Sequence, residues 1–114
     1  MSYVYLASPY SHPSPFVREW RYLAAMRHVL SFLQRGEWIY SPIVHCHELA
    51  KIVVMPKDAH FWRDYNFAML RQASKIVALM LPGYIESVGV KEELSEATRL
   101  HLVTEFQAPE QEIL

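Results

Sequence analysis

The segment Ser74–Leu81 (Ser-Lys-Ile-Val-Ala-Leu-Met-Leu) constrains the fold more than any other part of this chain. It is a continuous apolar run of strand length, broken at once by Pro82-Gly83. An unbroken run, rather than an alternating one, is what a strand covered on both faces looks like, and such strands belong to parallel sheets. The flanking sequence agrees. Tyr3–Ala7 is a short aromatic and β-branched run ending in the turn-rich Ser8–Pro15. Phe16 to Arg35 lacks Gly and Pro, and Tyr22, Met26, Val29, Leu30 and Leu33 recur in it at helical spacing, predicting a long amphipathic helix that Gly36 ends. Glu37–Ser41 reads as a second strand stopped at Pro42, and Ile43–Pro56 as a loop with a short helix. Asp58 is placed to cap a helix from Ala59 to about Gln72. A last helix is expected from Gly89 or Val90 to Leu100, then a short strand over His101–Phe106 and a tail. Strands alternating with helices predict an α/β, flavodoxin/Rossmann-like three-layer fold. Its sheet would be small and parallel, of four or five strands, flanked by helices.

Bulk properties narrow the class. The 114 residues suit one domain, with residues 107–114 as its tail. Hydrophobic residues make up 52%, enough for a packed core, and the net charge of −1 offers no footprint for duplex nucleic acid or an anionic membrane. No segment approaches the roughly 20 apolar residues that span a bilayer. Cys46 is the single cysteine, and the start Met1–Leu6 lacks a basic region, so a cytoplasmic protein is expected.

In a parallel α/β sheet the ligand site lies beyond the carboxyl ends of the strands. That rule selects Ser8–Pro15, Pro42–His47 and Pro82–Gly89. Glu93 sits in the first turn of the last helix, where the helix dipole favours an ionised carboxylate. Its face borders that of Val90, Leu94, Ala97 and His101, opposite Glu92, Ser95, Glu96 and Arg99. A carboxylate there can serve as a glycosyl nucleophile, or merely decorate the positive helix end. Asp64 shares a face with His60, Phe61 and Ala68; with Phe61, Tyr65, Ala68 and Met69 taken as core-facing, it is an acid on an apolar side that needs a partner. Ser8, Tyr10, Ser11, His12 and Ser14, with Arg18 and Arg21, could form an anion site before a helix. His45 and His47 are of metal-ligand type, but the spacing matches no common zinc pattern, and neither a metal nor a cofactor is expected.

These motifs, in this order, resemble the nucleoside 2-deoxyribosyltransferase superfamily, and within it the small bacterial and phage proteins grouped as DUF1937. Tyr5-Leu6-Ala7-Ser8-Pro9-Tyr10 is similar to a Tyr-Leu-Ala-Gly-Pro-Phe start. Arg63-Asp64 with Leu70 and Ala73 looks like the family's Asp-bearing helix. Ser87 to Ala97 resembles the Ser-x-Gly-x-x-x-Glu-Leu-Gly-x-Ala segment of deoxynucleotide N-hydrolases, with Gly89 on its glycine and Ser95 replacing the later one. The resemblance implies that Glu93 is the nucleophile, that the Tyr5 hydroxyl holds it, and that Asp64 assists at the base or the water. It puts Ser87 on the phosphate or sugar side. It also implies a small-molecule nucleoside or nucleotide as partner, and a homo-oligomer, dimer or tetramer, in which a neighbour completes the site. Leu81-Pro82-Gly83 stands where the transferases carry an aspartate, which disfavours base exchange more than sugar cleavage. A non-catalytic nucleotide-sensing module on the same fold is the competing expectation.

Overall fold

A computed structural model describes residues 2–52 and 59–110, with side chains in the helix that begins at Ala59 described from Phe61 onward. Asp58, expected to cap that helix, lies outside the described residues. The order is β1 (Val4–Ala7), α1 (Pro15–Gln34), β2 (Ile39–Tyr40), α2 (Pro42–Cys46), α3 (Leu49–Ile52), α4 (Ala59–Arg71), β3 (Lys75–Leu79), α5 (Val88–Arg99) and β4 (Val103–Gln107).

The four strands form one parallel sheet in the order β2-β1-β3-β4. The two central strands, β1 and β3, are buried along most of their length, as the apolar run of β3 requires. Side chains alternate across the sheet. Val4, Leu6, Val77 and Leu79 pack on one face with Ala24, Ala25 and Phe32 of α1. Tyr5, Ala7 and Ile76 pack on the other with Leu70, Ala73 and Ala97 from the α4 and α5 side. The molecule is therefore a three-layer α/β sandwich, of the flavodoxin-like kind in its strand order.

Three serines start the helices that leave the sheet's carboxyl edge. Ser14 Oγ accepts from the Phe16 and Val17 amides, Ser41 Oγ from Val44 N, and Ser87 Oγ from Val90 N. Proline follows the first two, fitting the first helical turn where no donor is needed. Gly36 takes φ +79° after α1, the left-handed residue expected there.

Faces of three helices differ from the sequence expectation. In α1 the buried residues are Ala24, Ala25, His28 and Phe32, whereas Met26, Leu30 and Leu33 are exposed. Small residues let the helix sit close on the bulky Leu6, Val77 and Leu79, and periodicity alone could not choose between two apolar sides. In α4 Phe61, Tyr65 and Ala68 face outward, and Leu70 is buried. In α5 Glu96 is buried rather than solvated, because Arg71 (3.4 Å) and Arg99 (2.6 Å) both reach it. His101, expected on the apolar face, is exposed at φ 59° beyond the helix end.

The loop after β3 is bolted to the loop after β1. Arg21 donates to Ser11 O (3.0 Å) and to Pro82 O (3.2 Å). Gly83 lies under this guanidinium at φ +94°, and a Cβ built on it would stand 2.5 Å from Arg21 Nη2. Gly83→Ala is expected to destabilise the protein by about 1–3 kcal/mol, through strained backbone and a displaced Arg21. Gly36→Ala, with no atom within 4 Å of the added carbon, carries only the backbone component. Paired urea melts check the difference, and equal losses would show that the Arg21 brace contributes nothing.

Candidate active site

The strand ends, the loops after them and the N-terminus of α5 enclose a cavity of about 850 Å³. One wall carries Ser8, Tyr10 and Ser11 after β1, another Pro42, Ile43, Cys46 and His47 from α2, and a third Glu86, Ser87, Gly89, Glu92 and Glu93 around the start of α5. Trp62, Arg63, Asn66 and Phe67 of α4 close it. The cavity thus lies beside β1 and β3, where an open sheet of this order reverses direction.

Glu93 is held from behind. Tyr5, fully buried, points from β1 to the α5 side, and its hydroxyl donates to Glu93 Oε2. The alternation of β1 dictates this: Val4 and Leu6 turn toward α1, so Tyr5 must turn toward α5. Burial pushes the Glu93 carboxyl up to about 7, against the Tyr5 hydrogen bond that lowers it, and neighbouring Glu92 raises it further. The Tyr5 hydroxyl is itself held far above its ordinary value, by burial first and then by the Glu93 charge. It therefore remains a donor throughout the working range, and Glu93 is poised to change charge near neutrality.

Of the remaining expected site residues, Ser8, Tyr10, Ser11, Ser87 and Gly89 line the same cavity. Ser8 Oγ is buried and has no hydrogen-bond partner among the described residues. His12 and Arg21 are not among the lining residues. His12 Nδ1 accepts from Ser14 N, and Arg21 braces the two loops. Arg18 likewise holds loop carbonyls, those of His12 and Pro13.

Asp64 is exposed in the single chain and does not line the cavity. The helical phase explains it. Trp62, Arg63, Asn66, Phe67 and Leu70 share the inward arc of α4, and at about 100° per residue Asp64 falls roughly 120° from its centre. Of the expected inward face Phe61-Tyr65-Ala68-Met69, Met69 packs against the core and the other three lie outward, so the apolar setting assigned to Asp64 is absent.

His45 and His47 do not converge. His45 is exposed and stacks on Tyr65, with ring centroids 5.9 Å apart. His47 is buried among different partners. It stacks on Tyr22 at 4.1 Å, meets Tyr10 Oη through Nδ1 at 2.6 Å, and has its Nε2 2.9 Å from Glu19 Oε1 and 3.8 Å from Glu48 Oε1. Among the described residues no group of three His, Cys, Asp or Glu is set to hold a metal ion. Burial pushes the Cys46 thiol up, so it lines the cavity as a neutral group. Glu19 and Asn66 were not anticipated: Glu19 reads as a solvated residue of α1, and Asn66 emerges only once the phase of α4 is known.

A model of the family described as "Domain of unknown function (DUF1937)" matches residues 2–107, and the chain belongs to that family. No curated protein matches it significantly. No described helix is long and apolar enough to cross a membrane.

The raised carboxyl has a thermodynamic consequence. Between about pH 4.5 and 7 the native state keeps a proton on Glu93 that the unfolded chain has released, so stability falls as pH rises through this window. Glu93→Gln removes the effect. The variant is expected to match the parent near pH 5 and to exceed it by about 1–3 kcal/mol at pH 8. Thermal melts at the two pH values check this; an equal difference at both would show that the carboxyl is not strained by burial.

Proposed function

We propose that the chain cleaves the N-glycosidic bond of a nucleoside or nucleoside 5′-monophosphate, with Glu93 as nucleophile and Tyr5 as its positioning residue. The observation carrying this reading is the Tyr5–Glu93 hydrogen bond on the wall of a nucleotide-sized cavity at the sheet's carboxyl edge. A carboxylate with a fixed oxygen can trap an oxocarbenium-like sugar carbon, and water or a second base then resolves the ester. The reading places the protein in the nucleoside 2-deoxyribosyltransferase superfamily, on its hydrolase side. Ser87 and Gly89, at the positive end of α5, suit a 5′-phosphate. Trp62 and Phe67 offer faces for a base. The buried Ser8 hydroxyl suits a sugar oxygen.

The exposed position of Asp64 in the single chain favours a second reading, a module that binds nucleotides without turnover. Incubation with a panel of nucleosides and 5′-monophosphates, followed by chromatography for free base, separates the two. The enzyme reading expects release that Glu93→Ala abolishes, whereas binding without release supports the sensor. The ionised nucleophile also predicts activity rising with pH through about 7 in the unliganded enzyme. Tyr5→Phe removes a group that lowers the Glu93 pKa, so the rising limb is expected to move to higher pH. A limb that stays in place would refute the role of Tyr5.

Oligomerisation belongs to this proposal. Phe16 (85% exposed), Trp20, Met26, Leu30 and Leu33 form one outward stripe along α1. A stripe of this size on a small domain marks an interface, and a symmetric dimer is the commonest solution. Sedimentation at micromolar concentration is expected to give a multiple of 13.4 kDa, and a 13.4 kDa particle would refute the assembly.

A further inference from the structure

The cavity that Glu93 lines is also lined by Tyr10 and His47, which belong to a second chain of hydrogen-bonded titratable groups. Tyr10 follows β1 and lines the cavity. Its phenol oxygen is 2.6 Å from His47 Nδ1, and His47 Nε2 is 2.9 Å from Glu19 Oε1. The imidazole is buried, fixed by stacking on Tyr22, and Glu19 is further anchored by Lys51 at 3.2 Å. Its bonds to His47 and Lys51 hold the Glu19 carboxyl below its usual range, so it is an acceptor, and Nε2 must carry the proton. Neutral His47 then accepts the Tyr10 proton at Nδ1. Protonated His47 instead donates to the phenol oxygen and frees the Tyr10 O–H for the cavity.

We propose that Glu19–His47–Tyr10 is a proton relay serving the reaction at Glu93, with Tyr10 as the catalytic group and His47 and Glu19 as positioning residues. The inference rests on the glycosidase reading above. In the first step the sugar carbon–nitrogen bond breaks as the sugar carbon–Glu93 oxygen bond forms. The electron pair goes to the base, which takes a proton from Tyr10, while His47 returns one to the phenol oxygen. In the second step water attacks the sugar carbon and the ester bond breaks, its electrons returning to Glu93. The water proton passes to Tyr10, whose own proton moves back to Nδ1 of His47. Each turnover thus consumes one water and leaves the relay as it began. The relay takes the task that Asp64, outside the cavity of the single chain, does not reach.

The test compares leaving groups. Free base is measured from the nucleoside and 5′-monophosphate panel, and 4-nitrophenolate from 4-nitrophenyl β-D-ribofuranoside and its 2-deoxy analogue, which leave without a proton. Tyr10→Phe is expected to slow release of the natural base by about a hundredfold to ten-thousandfold. Formation of the glycosyl-enzyme from the 4-nitrophenyl substrates, read as a single-turnover burst, should stay within about threefold of the parent. Glu19→Gln should show the same split in milder form, which a structural role would not produce. Glu93→Ala is expected to abolish both. Tyr10→Phe releasing natural base at the parental rate, or slowing both substrates equally, would overturn the relay while leaving the nucleophile intact. A parent protein inert toward every substrate would overturn the glycosidase reading and the relay with it. Circular dichroism of each variant confirms folding, and His47→Gln serves as a second probe of the same split.

Discussion

The hydrogen bond between Tyr5 and Glu93 ties the sheet to the last helix and fixes a carboxyl on the wall of the cavity. Its donor lies in the centre of the sheet, and its acceptor lies in the first turns of α5. Every condition that lets them meet is structural. β1 must be an inner strand, its alternation must turn Tyr5 toward α5, and Ala97 must be small enough for the helix to lie against Tyr5 and Ile76. The carboxyl then sits where burial disfavours its charge and the phenol favours it; α5 starts at Val88, so Glu93 lies in its second turn, beyond the first turn expected for it and beyond the main reach of the helix dipole. Burial that outweighs its one hydrogen bond moves an acid toward neutral pH, and acids shifted in this way cluster at functional sites.

Glu96, three residues further along, makes the contrast. It too is buried, but the Arg99 and Arg71 guanidinium groups hold its carboxyl down to about 2. Its charge is permanent across the neutral range and joins α4 to α5. Two glutamates of one helix therefore have opposite properties: burial without a cation raises the one, and two guanidinium groups within reach lower the other. One fixes the packing of the helix, and the other lines the cavity with a proton it can release near neutrality.

Much of this was legible in the residues. The apolar run of β3, the turn-rich Ser8–Pro15 and the Gly36 stop specify a parallel α/β order, because each rests on short-range chemistry that the chain cannot evade. Tyr5 and Glu93 were recoverable from the family-like segments, and the strand-end rule selected the three walls of the cavity. What was not legible lies on helix faces. α1 is apolar nearly all round, so Tyr22-Met26-Val29-Leu33 and Ala24-Ala25-His28-Phe32 are equally periodic. Only contact with Leu6, Val77 and Leu79 decides between them. The same ambiguity reversed α4, and with it Asp64. The Glu19–His47 contact joins residues 28 apart in sequence with no shared period, so no pattern announces it.

The reversed helix faces leave two apolar surfaces outward. The outward arc of α4 carries Phe61, Asp64, Tyr65 and Ala68, and the outward stripe of α1 runs from Phe16 to Leu33. Surface residues of a small monomer need not be apolar at this density, since they gain nothing from water. If a second copy covers the α4 face, Asp64 changes from a solvated side chain to one enclosed at a subunit boundary, and an enclosed carboxylate needs a partner. The inward arc of α4 would still supply Trp62, Asn66 and Phe67 to the cavity of its own chain, so one helix would serve substrate on one side and assembly on the other. The position of Asp64 on that outer arc is therefore a property of helical phase, and its chemical role is decided by what packs against it rather than by its place in the motif.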